Sequence, residues 1–222
     1  MSSVKFPSAA RIDSQQVWCQ VIAPLELGRP ALFLDRDGAM IVEENYLSDP
    51  EKVVLIDGTI ETVIAANQRN IAVVIVTNQS GIARGYFGWE TFSVVQKRLL
   101  ELLAQCGAKI NAVYASPFHK NGKEPYRHPS HPSRKPNPGM LLRAQDELGV
   151  DLSRSWIVGD KAGDLKAGLN AGLAGGLHVL TGHGRDEGEA EKAQALSCAD
   201  FQAKQAETIA EATKLIPILT VD

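Results

Sequence analysis

Short apolar runs alternate along this chain with stretches whose apolar residues recur every three or four positions. The runs at 31–35, 72–77, 112–115, 156–160 and 177–180 read as strands. The periodic stretches at 60–69, 90–105, 138–148 and 165–171 read as helices with one apolar face. Strand and helix in alternation predict βα units and an α/β fold built on a parallel sheet. Residues 1–30 precede the first of these strands without clear periodicity and are expected to be an N-terminal extension of a domain spanning 31–222. The stretch 116–137 holds five prolines and three histidines and reads as a loop; 39–58 is also non-helical and reads as a flap.

Three of the strands end in polar clusters: Asp35-Arg36-Asp37-Gly38, Thr77-Asn78-Gln79-Ser80-Gly81 and Gly159-Asp160-Lys161. Ligands of open parallel sheets bind beyond the carboxyl ends of the strands, so these clusters are expected to share one crevice. Composition narrows what that crevice serves. With 23 basic and 26 acidic residues mixed along 222 positions, no basic tract offers a surface for nucleic acid or an anionic membrane. A hydrophobic content of 44% suits one domain with a sizeable core. Three widely spaced cysteines suit a reduced protein, and neither a signal-peptide-like run nor an 18-residue apolar stretch occurs, so a cytoplasmic monomer or small homo-oligomer is expected.

Each cluster has a chemical and a bland reading. Asp35 and Asp37 offer two carboxylates that attract a hard cation such as Mg²⁺, and one can attack phosphorus in line. Seen alone, Asp-x-Asp-Gly is more often a surface turn. The Thr77 hydroxyl and the backbone amides of Asn78, Gln79, Ser80 and Gly81 can donate to phosphate oxygens as an anion nest does, although a strand ending in a polar turn looks the same. Arg134 and Lys135 precede Pro136-Asn137-Pro138-Gly139, which can start a helix. A lysine held near two aspartates would neutralise them and an incoming phosphate, whereas an isolated Arg-Lys pair is usually solvated. Asp160 can complete an oxygen-ligand set, and Asp164 can cap the following helix or hold Lys161. The ordered set, each member at a strand end or helix start, points to phosphoryl transfer from a small phosphorylated metabolite. A phosphotransferase would need a cap to exclude water, and none is visible. A non-enzymatic phospholigand binder would not need Asp35, Asp37, Lys135 and Asp160 together.

These motifs resemble the haloacid dehalogenase (HAD) superfamily, in particular its heptose bisphosphate and histidinol-phosphate phosphatase branch. The likeness runs from about Ala31 to about Asp186 and is carried by Phe33-Leu-Asp-Arg-Asp-Gly38, Val76-Thr-Asn-Gln-Ser-Gly-Ile-Ala-Arg-Gly85, Arg134-Lys-Pro-Asn-Pro-Gly-Met140 and Val158-Gly-Asp-Lys161. The resemblance implies a Rossmann-like core with little or no cap and a Mg²⁺ site of Asp35, Asp160 and the backbone carbonyl of Asp37. It also implies Asp35 as nucleophile and Asp37 as general acid and base, with Thr77, Arg134 and Lys135 stabilising the phosphoryl group. Two positions depart from the family pattern. Ala39 stands where a threonine hydroxyl is common. The branch also carries a structural zinc on a Cys-x-His and Cys-x-Cys set; here those positions are Ser116, Phe118, His131 and Ser133, so no structural zinc is expected.

Overall fold

The computed structural model describes residues 10–24 and 26–220. Eight strands form one sheet: β1 (Ala10–Ile12), β2 (Trp18–Val21), β3 (Pro30–Leu34), β4 (Ala72–Asn78), β5 (Ala112–Ser116), β6 (Asp151–Gly159), β7 (Gly175–Val179) and β8 (Gln202–Ala206), in the order β1-β2-β5-β4-β3-β6-β7-β8. From β5 to β8 every pairing is parallel, with Leu34 opposite Ile75 on one side and Val158 on the other.

Side chains alternate across a strand, so each strand feeds two cores. Leu32, Leu34, Val73, Ile75, Trp156 and Val158 pack on one face with α1 (Thr59–Gln68) and α3 (Trp89–Gln105). Phe33, Val74, Val76 and Ile157 pack on the other with α4 (Gly139–Leu148) and α5 (Ala162–Ala171). Short helices α2 (Ser80–Arg84), α6 (Glu189–Gln194) and α7 (Ala212–Leu215) complete the order. No helical cap interrupts the segment between β3 and α1. There the flap folds back on itself, the Val42 amide donating to the Val54 carbonyl at 2.9 Å and the Ile56 amide to the Met40 carbonyl at 2.9 Å.

The sequence patterning did not show that residues 10–21 make two strands. β1 and β2 form an antiparallel hairpin whose second strand pairs antiparallel with β5, placing Trp18 opposite Ala115. Trp18 is fully buried against Trp89 and Phe92, with ring centroids at 5.8 and 5.1 Å. Charged contacts fix the hairpin to α4: Arg143 to Asp13 at 2.5 Å and Arg11 to Glu147 at 2.6 Å. The hairpin therefore shares the main core, and Trp18→Ala is expected to destabilise the whole chain by about 3–5 kcal/mol. Urea unfolding followed by circular dichroism checks this. An unchanged midpoint would show the hairpin to be an appendage.

Candidate active site

The three polar clusters end β4, β3 and β6, neighbours at the centre of the sheet. Chain order reverses here, since β4 lies on one side of β3 and β6 on the other, which opens a crevice above the strand ends. Its volume is about 260 Å³, near the small end of ligand pockets (roughly 300–1,000 Å³), so it suits a small metabolite.

The turn after β3 needs Gly38. Its φ is +86°, and a Cβ there would stand 2.3 Å from Asp160 Oδ2. The amides of Met40 and Ile41 both donate to the Arg36 carbonyl at 3.0 Å, and Thr181 Oγ1 donates to the Gly38 carbonyl at 2.5 Å. This loop is thus ordered without a hydroxyl at position 39; Ala39 is buried in the core beneath it.

Lys135 is the hub of the crevice floor. It is 5% exposed, and Nζ donates to Asp35 Oδ1, Asp164 Oδ1 and the Val76 carbonyl, each at 2.8 Å. Burial alone would lower its pKa, but Asp164 and Asp35 hold it above the ordinary lysine value. Asp35 Oδ1 also accepts the Arg36 amide at 2.8 Å, so Oδ2 is the oxygen left without a partner among the described residues. Both oxygens of Asp164 are engaged, Oδ1 by Lys135 and Oδ2 by the Lys161 amide at 3.0 Å at the start of α5. Asp164 therefore caps the helix, and the side chain it holds is that of Lys135. Asp160 is fully buried; Oδ2 accepts the His183 amide at 2.8 Å, and Oδ1 has no partner.

One oxygen each from Asp35, Asp160 and Asp164 lies within 4.8 Å of the others, the one acidic group among the described residues placed to hold a metal ion. Burial pushes the Asp35 carboxyl up to about 6 despite Lys135, and burial with Asp35 and Asp164 pushes Asp160 up to about 8. A hard cation held by Asp160 and Asp35 would satisfy the buried, open Asp160 Oδ1, so the site fits Mg²⁺. The Asp37 carboxylate lies outside this cluster.

Asp37 also lines the crevice. Its carboxylate accepts from Arg36 Nη2 at 3.0 Å, Gln79 Nε2 at 2.8 Å and Thr77 Oγ1 at 3.4 Å. Asn78 clamps the Lys135 backbone both ways, accepting from its amide at 3.1 Å and donating to its carbonyl at 3.0 Å. The amide of Gln79 is not free for an anion, because it donates to the Ser116 carbonyl at 2.7 Å. Ser80 and Gly81 line the crevice at the start of α2. Glu43 to Leu47 of the flap, Lys161 and His183 line it too. The sequence reading placed a flap here but named none of these side chains as site residues, since an exposed loop carries no periodic signal.

A family model described as HAD-hydrolase-like matches residues 132–205. A D-glycero-beta-D-manno-heptose-1,7-bisphosphate 7-phosphatase of Mesorhizobium japonicum is 53% identical over 150 residues, covering 68% of this chain and 69% of the relative. The chain belongs to the HAD-like phosphatases. A HAD-like phosphatase of Mesorhizobium loti with a solved structure superposes with a TM-score of 0.81 at 42% identity, over 91% of this chain and 92% of the other. The D,D-heptose 1,7-bisphosphate phosphatase of B. bronchiseptica, solved with magnesium and phosphate, gives a TM-score of 0.70 at 28% identity, over 83% and 96%.

In this HAD-like phosphatase Arg134 is held by a backbone carbonyl. Its Nη1 donates to the Phe118 carbonyl at 2.7 Å, it stands close enough to Arg84 to feel its charge, and it does not line the crevice. The neighbouring Lys135 points inward and Arg134 does not, as adjacent side chains of a non-helical backbone generally diverge.

The four positions that match the family's zinc ligands do come together, but with other chemistry. Phe118 stacks on His131 at 3.5 Å and 10°, His131 Nδ1 shares a hydrogen bond with Ser133 Oγ at 2.7 Å, and Ser133 Oγ donates to Ser116 Oγ at 3.4 Å. A phenyl ring and two hydroxyls cannot supply the N and S donors of a tetrahedral zinc site, so these residues do not fit the metal. Protein purified without added metal or a histidine tag is expected to carry far less than one zinc per chain by elemental analysis. About one zinc retained through dialysis against a weak chelator would contradict this.

Proposed function

We propose that this HAD-like phosphatase removes the 7-phosphate of D-glycero-D-manno-heptose 1,7-bisphosphate through an aspartyl phosphate on Asp35. The observation that carries the mechanism is the pairing of a nucleophilic oxygen that is open, Asp35 Oδ2, with one that is pinned, Oδ1 on Lys135. Pinning fixes the carboxylate plane, so Oδ2 presents a lone pair to the crevice in a set direction. Its attack forms the Oδ2–phosphorus bond as the phosphorus–sugar oxygen bond breaks, and Asp37 gives its proton to the departing oxygen. Asp37 then takes a proton from water, which attacks phosphorus; inorganic phosphate leaves and the Asp35 carboxylate is restored.

Lys135 is placed to draw charge off the phosphoryl oxygens, with the Ser80 amide at the start of α2 and the Thr77 hydroxyl once it turns from Asp37. Asn78 and Gln79 act by holding Lys135 and Asp37 in place. Mg²⁺ on Asp35, Asp160 and the Asp37 carbonyl would supply positive charge to the transferring group when bound. The choice of sugar rests on the name of the 53% identical relative and on the small crevice walled by Glu43, Asn45, Tyr46, Lys161 and His183. We read residues 31–222 as the catalytic domain and 1–30 as an N-terminal extension, whose strands β1 and β2 widen the sheet. A reducing cytoplasmic setting suits the exposed free thiols of Cys106 and Cys198, and among the described residues no helix is long and apolar enough to cross a membrane.

Phosphate release measured over a set of sugar phosphates, both anomers of the heptose bisphosphate and histidinol phosphate tests the substrate. The heptose bisphosphate is expected to have the highest kcat/KM, and a higher value for histidinol phosphate would overturn the choice.

A further inference from the structure

Arg36 is a charged residue in an apolar setting. It is 1% exposed, and its guanidinium lies 5.2 Å from the centre of the Phe92 ring on α3. Only one side of the fork is used: Nε reaches both oxygens of Asp37 at 3.2 and 3.1 Å and Nη2 reaches Oδ1 at 3.0 Å, while Nη1 has no partner. Burying a guanidinium with an unpaired N–H costs stability, and a hydrophobic side chain of similar volume would usually fill the space as well or better. The charge must therefore be explained by what it does to Asp37.

Consecutive side chains normally diverge, yet the turn at Gly38 brings these two together. Asp37 is the exposed end of the pair, with 20% of its side chain accessible against 1% for Arg36. The guanidinium thus grips the carboxylate from inside the core, while Gln79 Nε2 and Thr77 Oγ1 hold Oδ2 from β4 and the turn after it. A carboxylate held by a planar fork on one side and an amide on the other has its plane and rotamer fixed.

We propose that Arg36 is the positioning residue for proton transfer by Asp37, its buried fork aiming the carboxyl group at the oxygen that leaves phosphorus. This rests on the reading above that Asp37 is the general acid. Phe92 serves as the ledge that keeps the guanidinium in register. In the step concerned, the Asp35–phosphorus bond forms, the phosphorus–oxygen bond breaks, and one proton passes from Asp37 to the alkoxide. A misaimed carboxyl group loses that proton transfer and leaves the attack by Asp35 intact.

The test exploits leaving groups. A p-nitrophenolate departs without a proton, whereas the alkoxide of glycerol 3-phosphate needs one. For Arg36→Met, kcat/KM is expected to fall about 10²-fold on glycerol 3-phosphate and to stay within about threefold on p-nitrophenyl phosphate. Arg36→Lys keeps a charge but not the fork; its loss on the alkyl ester is expected to be smaller, and it decides the matter if Arg36→Met shows no cooperative melt. Asp37→Asn is the yardstick and should show the same selectivity. Equal losses on both esters, or none, in a folded Arg36 variant while Asp37→Asn remains selective would overturn the proposal alone. A non-selective Asp37→Asn would instead overturn the acid role of Asp37, and this proposal with it.

Discussion

Asp35→Asn is expected to reduce phosphate release by at least about 10⁴-fold while leaving the fold in place, because removal of a covalent nucleophile eliminates the reaction path and not merely a contact. The amide keeps an oxygen that can accept the Arg36 amide and Lys135, so local hydrogen bonding survives. It has neither the nucleophilic lone pair nor the charge that a cation shared with Asp160 would need. Asp164→Asn should cost less, since Asp164 acts through Lys135 and the Lys161 amide and has no free oxygen of its own. Steady-state phosphate release with Mg²⁺ and a circular dichroism spectrum check both statements. An Asp35→Asn enzyme with most of its rate would exclude covalent catalysis at this position.

Lys135→Ala is expected to lower kcat/KM by about 10²–10³-fold, or about 3–4 kcal/mol, the usual cost of deleting a preorganised charge donor from a buried position. Stability should fall too, because the change strands Asp35 and Asp164 as buried carboxylates without their cation. Kinetics therefore need to be read well below the melting midpoint of the variant. A suitable control is Lys97→Ala on the exposed face of α3, where the contact with Glu101 spans 3.6 Å in solvent and contributes little. Lys204 would be a poor control: its Nζ donates to the Leu215 carbonyl at 2.7 Å and lies 5.5 Å from the centre of the Trp156 ring. Equal kinetics for Lys135→Ala and the control would remove Lys135 from the mechanism.

The central strands were legible because a strand buried on both faces is a continuous apolar run, and Ala72–Asn78 and the inner half of Asp151–Gly159 are such runs. Their polar ends marked Asp35, Thr77 and Asp160 at one end of the sheet, where Asp35 and Thr77 line the crevice and Asp160 is buried near Asp35. The edges of the sheet were not legible. Ala10–Ile12 and Trp18–Val21 are three and four residues long, and Gln202–Ala206 carries two glutamines and a lysine, so neither length nor hydrophobicity marks them. Side-chain direction was the other blind spot. Arg134 and Lys135 look alike in sequence, yet one is held on a backbone carbonyl and the other sits between two carboxylates. Arg36 was hidden for a related reason, since a charged residue in a polar motif reads as solvated until the fold places it over Phe92.

The covalent route is tested most directly by mixing Asp37→Asn protein with p-nitrophenyl phosphate and Mg²⁺ in a rapid-quench flow experiment. The nitrophenolate needs no acid to leave, so Asp35 can still be phosphorylated, while water attack lacks its base and the intermediate accumulates. The expected result is a burst of nitrophenolate approaching one equivalent per active site, with a phosphoryl group on the acid-quenched peptide that contains Asp35. Nitrophenolate and inorganic phosphate appearing together from the first turnover, with no phosphoryl group on that peptide, would contradict it.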